Sequence, residues 1–227
     1  MATGSQIETS AAWAVILDFC QVASFRFRIT EVVQGGQSAY ELDQNSLWRV
    51  LRAIDADAVK VWRIDQYFKN TGTILPHTVS ANYDYNNNNL YINAGNPGLL
   101  AASEIIHEAT HAYADVSGMR LTIATHEFLG FFVQSLYLRV KNFDFGSLVK
   151  DEPKDHAGGY ARVNKATILA RCAALADQLG VVNAAGAPLL SPEIYGAMRA
   201  RIAAYYGANV PGWDAAKVIV TDFSGVP

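Results

Sequence analysis

The sequence is poor in the features that mark several large protein classes. It holds two cysteines in 227 residues, Cys20 and Cys172. They are too few for a disulfide framework, and each lies in an apolar stretch that reads as helix, so buried thiols acting as small hydrophobes are expected. Charge is sparse and mixed: 18 Lys and Arg against 21 Asp and Glu leave a net charge of −3, with no long run of one sign. That excludes the basic footprint of a nucleic-acid binder or of a protein drawn to an anionic membrane. The apolar stretch near the N-terminus is broken by Asp18 and has no basic segment before it, so it reads neither as a membrane span nor as a secretory signal. The expected location is the cytoplasm, or outside the cell by a route that needs no signal peptide. No repeat of fixed period is visible.

What the chain does have is apolar mass. At 227 residues, 51% of them hydrophobic, it can bury a sizeable core. The expectation is one domain spanning 1–227, with a core over about 45–142 and a helical C-terminal part over about 157–227. Apolar residues recur at helical spacing over 9–25, where Thr9 or Ser10 would cap the first turn. The segment "RFRITEV" at 26–32 alternates as a strand does, and "QGGQS" after it reads as a turn. Residues 45–70 read as one or two helices with a break around Asp55 to Asp57. Four consecutive asparagines, Asn86–Asn89, sit between two strand-like runs within 79–94. Asparagine tolerates left-handed backbone angles, so this predicts a hairpin turn.

A helix is expected to start at "NPG", 96–98, with Asn96 as cap and Pro97 in the first turn, and to stop at Gly118. A second is expected from a cap at Thr125 to about Asn142. After a polar connection at 151–160, two further helices are expected over 161–179 and 192–206. The whole reads as α+β and predominantly helical.

The chemistry concentrates in "SEIIHEATHAYADVSG", residues 103–118. His107, Glu108 and His111 form HExxH. Residues four apart stand above one another on a helix, so both imidazoles can reach one ion while Glu108 sits beside its water. Zinc prefers four ligands and keeps one position for water when the site is catalytic. A third protein ligand is therefore required. The apolar flanks favour a metal over two surface histidines, because unpaired polar groups on a buried helix are costly.

This helix, preceded by a strand hairpin and followed by a helix with a glutamate near its start, resembles the zincin metallopeptidases, and most of all their gluzincin arrangement, over roughly residues 78–140. The resemblance implies a zincin-like core with a small antiparallel sheet or hairpin packed on the active-site helix. It implies His107 and His111 as Zn2+ ligands, Glu108 as general base and Glu127 as third ligand. His126 adjoins Glu127 but points about 100° away on a helix, and His77 and His156 read as surface histidines. Asp115, one turn beyond His111, is placed to orient that histidine. Ala114 and Ser117 stand where the metzincin pattern has a glycine and its third histidine, which excludes that pattern. Candidates for the donor that stabilises the oxyanion are Tyr137, His156 and Tyr160.

The activity implied is zinc-dependent hydrolysis of a peptide bond in a protein or peptide substrate, with the segment 79–94 as an edge strand aligning that peptide. Two other readings stand beside it: a signal-less bacterial effector or toxin protease with a narrow target, and a non-catalytic zinc-binding interaction protein. Glu108 speaks against the last, since a purely structural zinc site has no use for it.

Overall fold

The computed structural model describes residues 6–22, 24–33, 36–71, 79–95, 98–149, 164–182, 186–210 and 212–219. In chain order its elements are α1 (Gln6–Val22), β1 (Arg26–Val33), β2 (Gly36–Asp43), α2 (Ser46–Asp55), β3 (Lys60–Arg63), a 3-10 turn (Ile64–Gln66), α3 (Tyr67–Thr71), β4 (Ala81–Asp84), β5 (Asn89–Ile92) and α4 (Leu99–Val116). They continue with β6 (Leu121–Thr122), α5 (Ile123–Val140), α6 (Gly146–Val149), α7 (Lys165–Leu179), β7 (Leu189–Leu190), α8 (Pro192–Asn209) and β8 (Val218–Ile219). The fold class is α+β, helix-rich with small sheets, as expected. The elements fall into two compact units.

The first unit contains α1, α2, α3, α4 and a sheet of order β3-β5-β4. Its core is made by α1, α2 and α4, with Ala12, Ile16, Phe19, Leu47, Val50, Leu51, Ile106 and Ala109 all almost wholly buried. Helix α1 begins at Gln6, so Thr9 and Ser10 lie inside it and are not its cap. The expected break after α2 is there: Asp57 adopts φ +57°, and the N–H groups of Ala58 and Val59 both return to the Ala53 carbonyl.

The helix expected to continue to residue 70 does not. Residues 60–63 form β3, which pairs in parallel with β5 from Lys60 opposite Asn89 to Arg63 opposite Ile92. Val61 and Trp62 suit a pleated surface, and the Trp62 indole N–H donates to Asn89 Oδ1 at 3.1 Å.

The hairpin between β4 and β5 is antiparallel, as expected, with Tyr83 opposite Leu90. Its turn is held by Asp84, which accepts from the Asn86 N–H at 3.0 Å and from Asn87 Nδ2 at 2.8 Å, while Asn88 takes φ +52°. Helix α4 has Gly98 at its N-cap position; Asn96 and Pro97 lie outside the described residues. At its other end Gly118 adopts φ +62°, the left-handed turn in which a side chain would be strained. The N–H groups of Gly118 and Met119 close the helix onto Asp115 and Ala114.

The second unit contains a sheet of order β2-β1-β7, the β6-β8 pair, and helices α5, α6, α7 and α8. Strand β2 occupies part of what was expected to be a turn, since Gln37 and Ser38 are in it. Helix α5 starts at Ile123 and is capped by Thr122, whose hydroxyl accepts from the Thr125 N–H at 3.3 Å. The expected cap at Thr125 is therefore one turn too late; Thr125 supplies the N–H that is capped. Phe128 stacks on Tyr195 at 4.9 Å and Phe132 meets Phe27 edge-on at 5.1 Å, tying α5 to α8 and β1. Helix α7 opens with a capping box, in which Asn164 accepts from the Thr167 N–H at 2.8 Å.

Cys20 lies in the first unit and Cys172 in the second, and both are free and buried, as the apolar surroundings lead one to expect. Burial pushes the Cys20 thiol up to about 12 and the Cys172 thiol higher still. Thiolates are the reactive form. Titration of the folded protein with a disulfide reagent at pH 8 is expected to modify neither cysteine on the timescale in which the unfolded chain reacts at both. Prompt reaction of the native protein would contradict this burial.

Candidate metal centre

Helix α4 carries nearly all of the motif chemistry, and most of its residues from Ser103 to Asp115 are buried. His107 is 5% exposed and His111 3%. Their rings stand one turn apart on one face, with centroids 4.8 Å from each other. The spacing of HExxH thus gives the paired imidazoles that its geometry predicts. Tyr85, just past β4, lays its ring 5.8 Å from that of His111.

Glu104, Glu108, His111 and Asp115 follow one another at steps of four, three and four, which is a single stripe along a helix. Strand β4, at the edge of its sheet, lies against it. The Ser80 N–H donates to Glu104 Oε2 at 2.7 Å and the Tyr83 N–H to Glu108 Oε2 at 2.8 Å. The Tyr83 hydroxyl donates to Asp115 Oδ2 at 2.6 Å. Asp115 is only 2% exposed. Burial, reinforced by the negative charge of Asp115, raises the Tyr83 phenol well above its ordinary range. It therefore stays protonated and acts as a donor at any physiological pH.

Glu127 lies in the second turn of α5. Among the described residues, His107, His111 and Glu127 form a group whose metal-binding atoms all lie within 4.8 Å of one another. Two neutral imidazoles and one carboxylate suit zinc, which takes nitrogen and oxygen ligands readily and leaves a fourth position open in catalytic sites. His126 is not in the group. It is 1% exposed, and burial pulls its imidazole down to about 4 against the opposing pull of the Glu127 charge, so it is neutral at pH 7.

Of the three candidate oxyanion donors, Tyr137 is buried in α5 under Lys141, whose Nζ lies 5.8 Å from the ring centre. It sits ten residues beyond Glu127 on the same helix, a rise of about 15 Å, too far for its hydroxyl to serve a group held at Glu127. His156 and Tyr160, like His77, lie outside the described residues. Tyr83 is the polar contributor that sequence reasoning passed over; its signal was an inward position on a strand next to the motif helix. No helix among the described residues is long and apolar enough to cross a membrane.

Comparison with protein-family models, with curated proteins and with solved structures finds no match to this chain.

Proposed function

We propose that this chain is a zinc-dependent peptidase with a zincin-like core, acting on a protein or peptide substrate. The observation that carries the reading is the convergence of His107, His111 and Glu127, with Glu108 next in sequence to the first of them. His107 and His111 would hold the ion through ring nitrogens, and Glu127 through a carboxylate oxygen. When bound, zinc supplies a lowered water pKa and a Lewis acid for the scissile carbonyl. Glu108 takes the proton of the attacking water and passes it to the leaving amine, the two halves of general acid–base work done by one carboxylate. The hydrogen bond from the Tyr83 N–H fixes the carboxylate plane against β4 while it does so.

A non-catalytic zinc protein would use the same three ligands and leave Glu108 only its hydrogen bond from the Tyr83 N–H. The test is to incubate zinc-loaded protein with a library of quenched fluorescent peptides. Cleavage abolished by 1,10-phenanthroline and restored by zinc is expected. A protein that binds one zinc per chain and cleaves nothing, including denatured protein substrates, would overturn the peptidase reading and leave the binding one.

A further inference from the structure

We propose that Tyr83 is the positioning residue for Glu108, acting through its own main chain while its phenol holds that main chain in place. This rests on the peptidase reading for its catalytic consequence, though not for its geometry.

A glutamate at the second position of a helical stripe has three rotatable side-chain bonds, and a base that must meet one water needs them fixed. A strand N–H is a good anchor because it has no rotamers of its own. Here β4 is paired with β5 on one side, Asn82 with Tyr91 and Asp84 with Asn89, and the intervening Tyr83 N–H bonds Glu108 Oε2 at 2.8 Å. The strand is an edge of its sheet, so one side of it lacks the constraint of a neighbouring strand. The Tyr83 phenol supplies that constraint.

The phenol reaches Asp115, seven residues after Glu108, hence about 10 Å further along α4 and on nearly the same face. At 2.6 Å to a carboxylate, within the buried interior, this is a short charge-assisted bond of the stronger kind. One residue therefore grips α4 at two points, by N–H at Glu108 and by hydroxyl at Asp115. Sliding or lifting of β4 would break both. Tyr83 touches neither substrate nor reacting atoms by these contacts and is not itself catalytic.

The test pairs Tyr83→Phe with Asp115→Asn in the full-length zinc-loaded protein. Tyr83→Phe deletes the phenol bond and keeps the ring. Asp115→Asn keeps an acceptor oxygen and removes the charge. Amide hydrogen exchange at position 83, read by NMR, is expected to quicken about tenfold or more in Tyr83→Phe and less in Asp115→Asn, while the amides of Leu90 to Ile92 keep their wild-type rates. With a cleaved peptide, kcat is expected to fall between about 10- and 100-fold with KM unchanged, the loss expected when a reacting group is misplaced by a fraction of an ångström to an ångström.

Unchanged exchange at position 83 in Tyr83→Phe would overturn the proposal, as would faster exchange with wild-type kcat. If the wild-type protein cleaves nothing, the peptidase reading falls, and the exchange rates alone still decide whether Tyr83 holds the strand to Glu108.

Discussion

Glu108→Gln is expected to lower kcat by about 10²- to 10⁴-fold, the range general acid–base catalysis contributes, while zinc content and melting temperature stay at the wild-type level. The substitution separates two jobs of one side chain. A glutamine side chain retains an oxygen that can accept from the Tyr83 N–H, now at 2.8 Å from Glu108, so the contact between β4 and α4 survives. What is lost is the basic oxygen that takes a proton from water. Because neither histidine is altered, the ion stays. A kinetic assay on the zinc-loaded variant, with metal content read by atomic emission on the same sample, checks both halves. Wild-type turnover in Glu108→Gln would remove Glu108 from the mechanism. A loss of zinc along with activity would make it a structural residue.

His107→Ala and His111→Ala are expected to act in the opposite order: metal goes first, and activity and stability follow. A ligand that binds only the folded state stabilises it by an amount set by its concentration relative to its dissociation constant, about 4 kcal/mol when free zinc exceeds that constant a thousandfold. For a protein of this size each kcal/mol moves the melting temperature by about 2–4 °C, so saturating zinc is worth roughly 10 °C. The measurement is the difference in melting temperature with zinc and with chelator. It is expected to be large in wild type and near zero in either histidine variant. Taking the difference within each variant cancels the cost of replacing a side chain that is 5% or 3% exposed. An equal zinc-dependent shift in wild type and variants would mean that the ion sits elsewhere. Glu127→Ala is expected to behave as the histidine variants do, with a smaller drop because a carboxylate can be replaced by water.

The motif helix was readable because its signals are local. HExxH spacing, the apolar flanks and Gly118 all act within a few residues, and the structure has α4 ending at Val116 with Gly118 at φ +62°. The hairpin was readable for the same reason, since the asparagine run and Asp84 two residues before it form the turn within a few residues. Strand β3 was not, because Lys60–Arg63 is short and flanked by helical segments, and its partner β5 lies almost thirty residues away. Periodicity cannot see a pairing of that span. The two-residue strands β6, β7 and β8 were missed on the same ground.

The cap of α5 is expected at Thr125 and is held by Thr122; both are threonines three apart, and which one supplies the accepting hydroxyl and which the donating N–H is decided by backbone angles that the sequence does not print. Tyr83 escaped notice because its bond to Asp115 joins residues 32 apart. The expected polar partners, Tyr137, His156 and Tyr160, lie downstream of the motif, whereas Tyr83, which grips α4, stands upstream on the hairpin. The spacing of Glu108, His111 and Asp115 along one helix was visible in the sequence. What it faced was not.

The most direct test is diffraction from zinc-loaded crystals at energies on either side of the zinc absorption edge. An anomalous peak is expected about 2.0–2.2 Å from one ring nitrogen each of His107 and His111 and from a carboxylate oxygen of Glu127, with the fourth position held by water next to Glu108. A peak with a fourth protein ligand and no water would contradict the catalytic reading. A peak away from these three residues, or none in a crystal grown with saturating zinc, would contradict the metal centre itself.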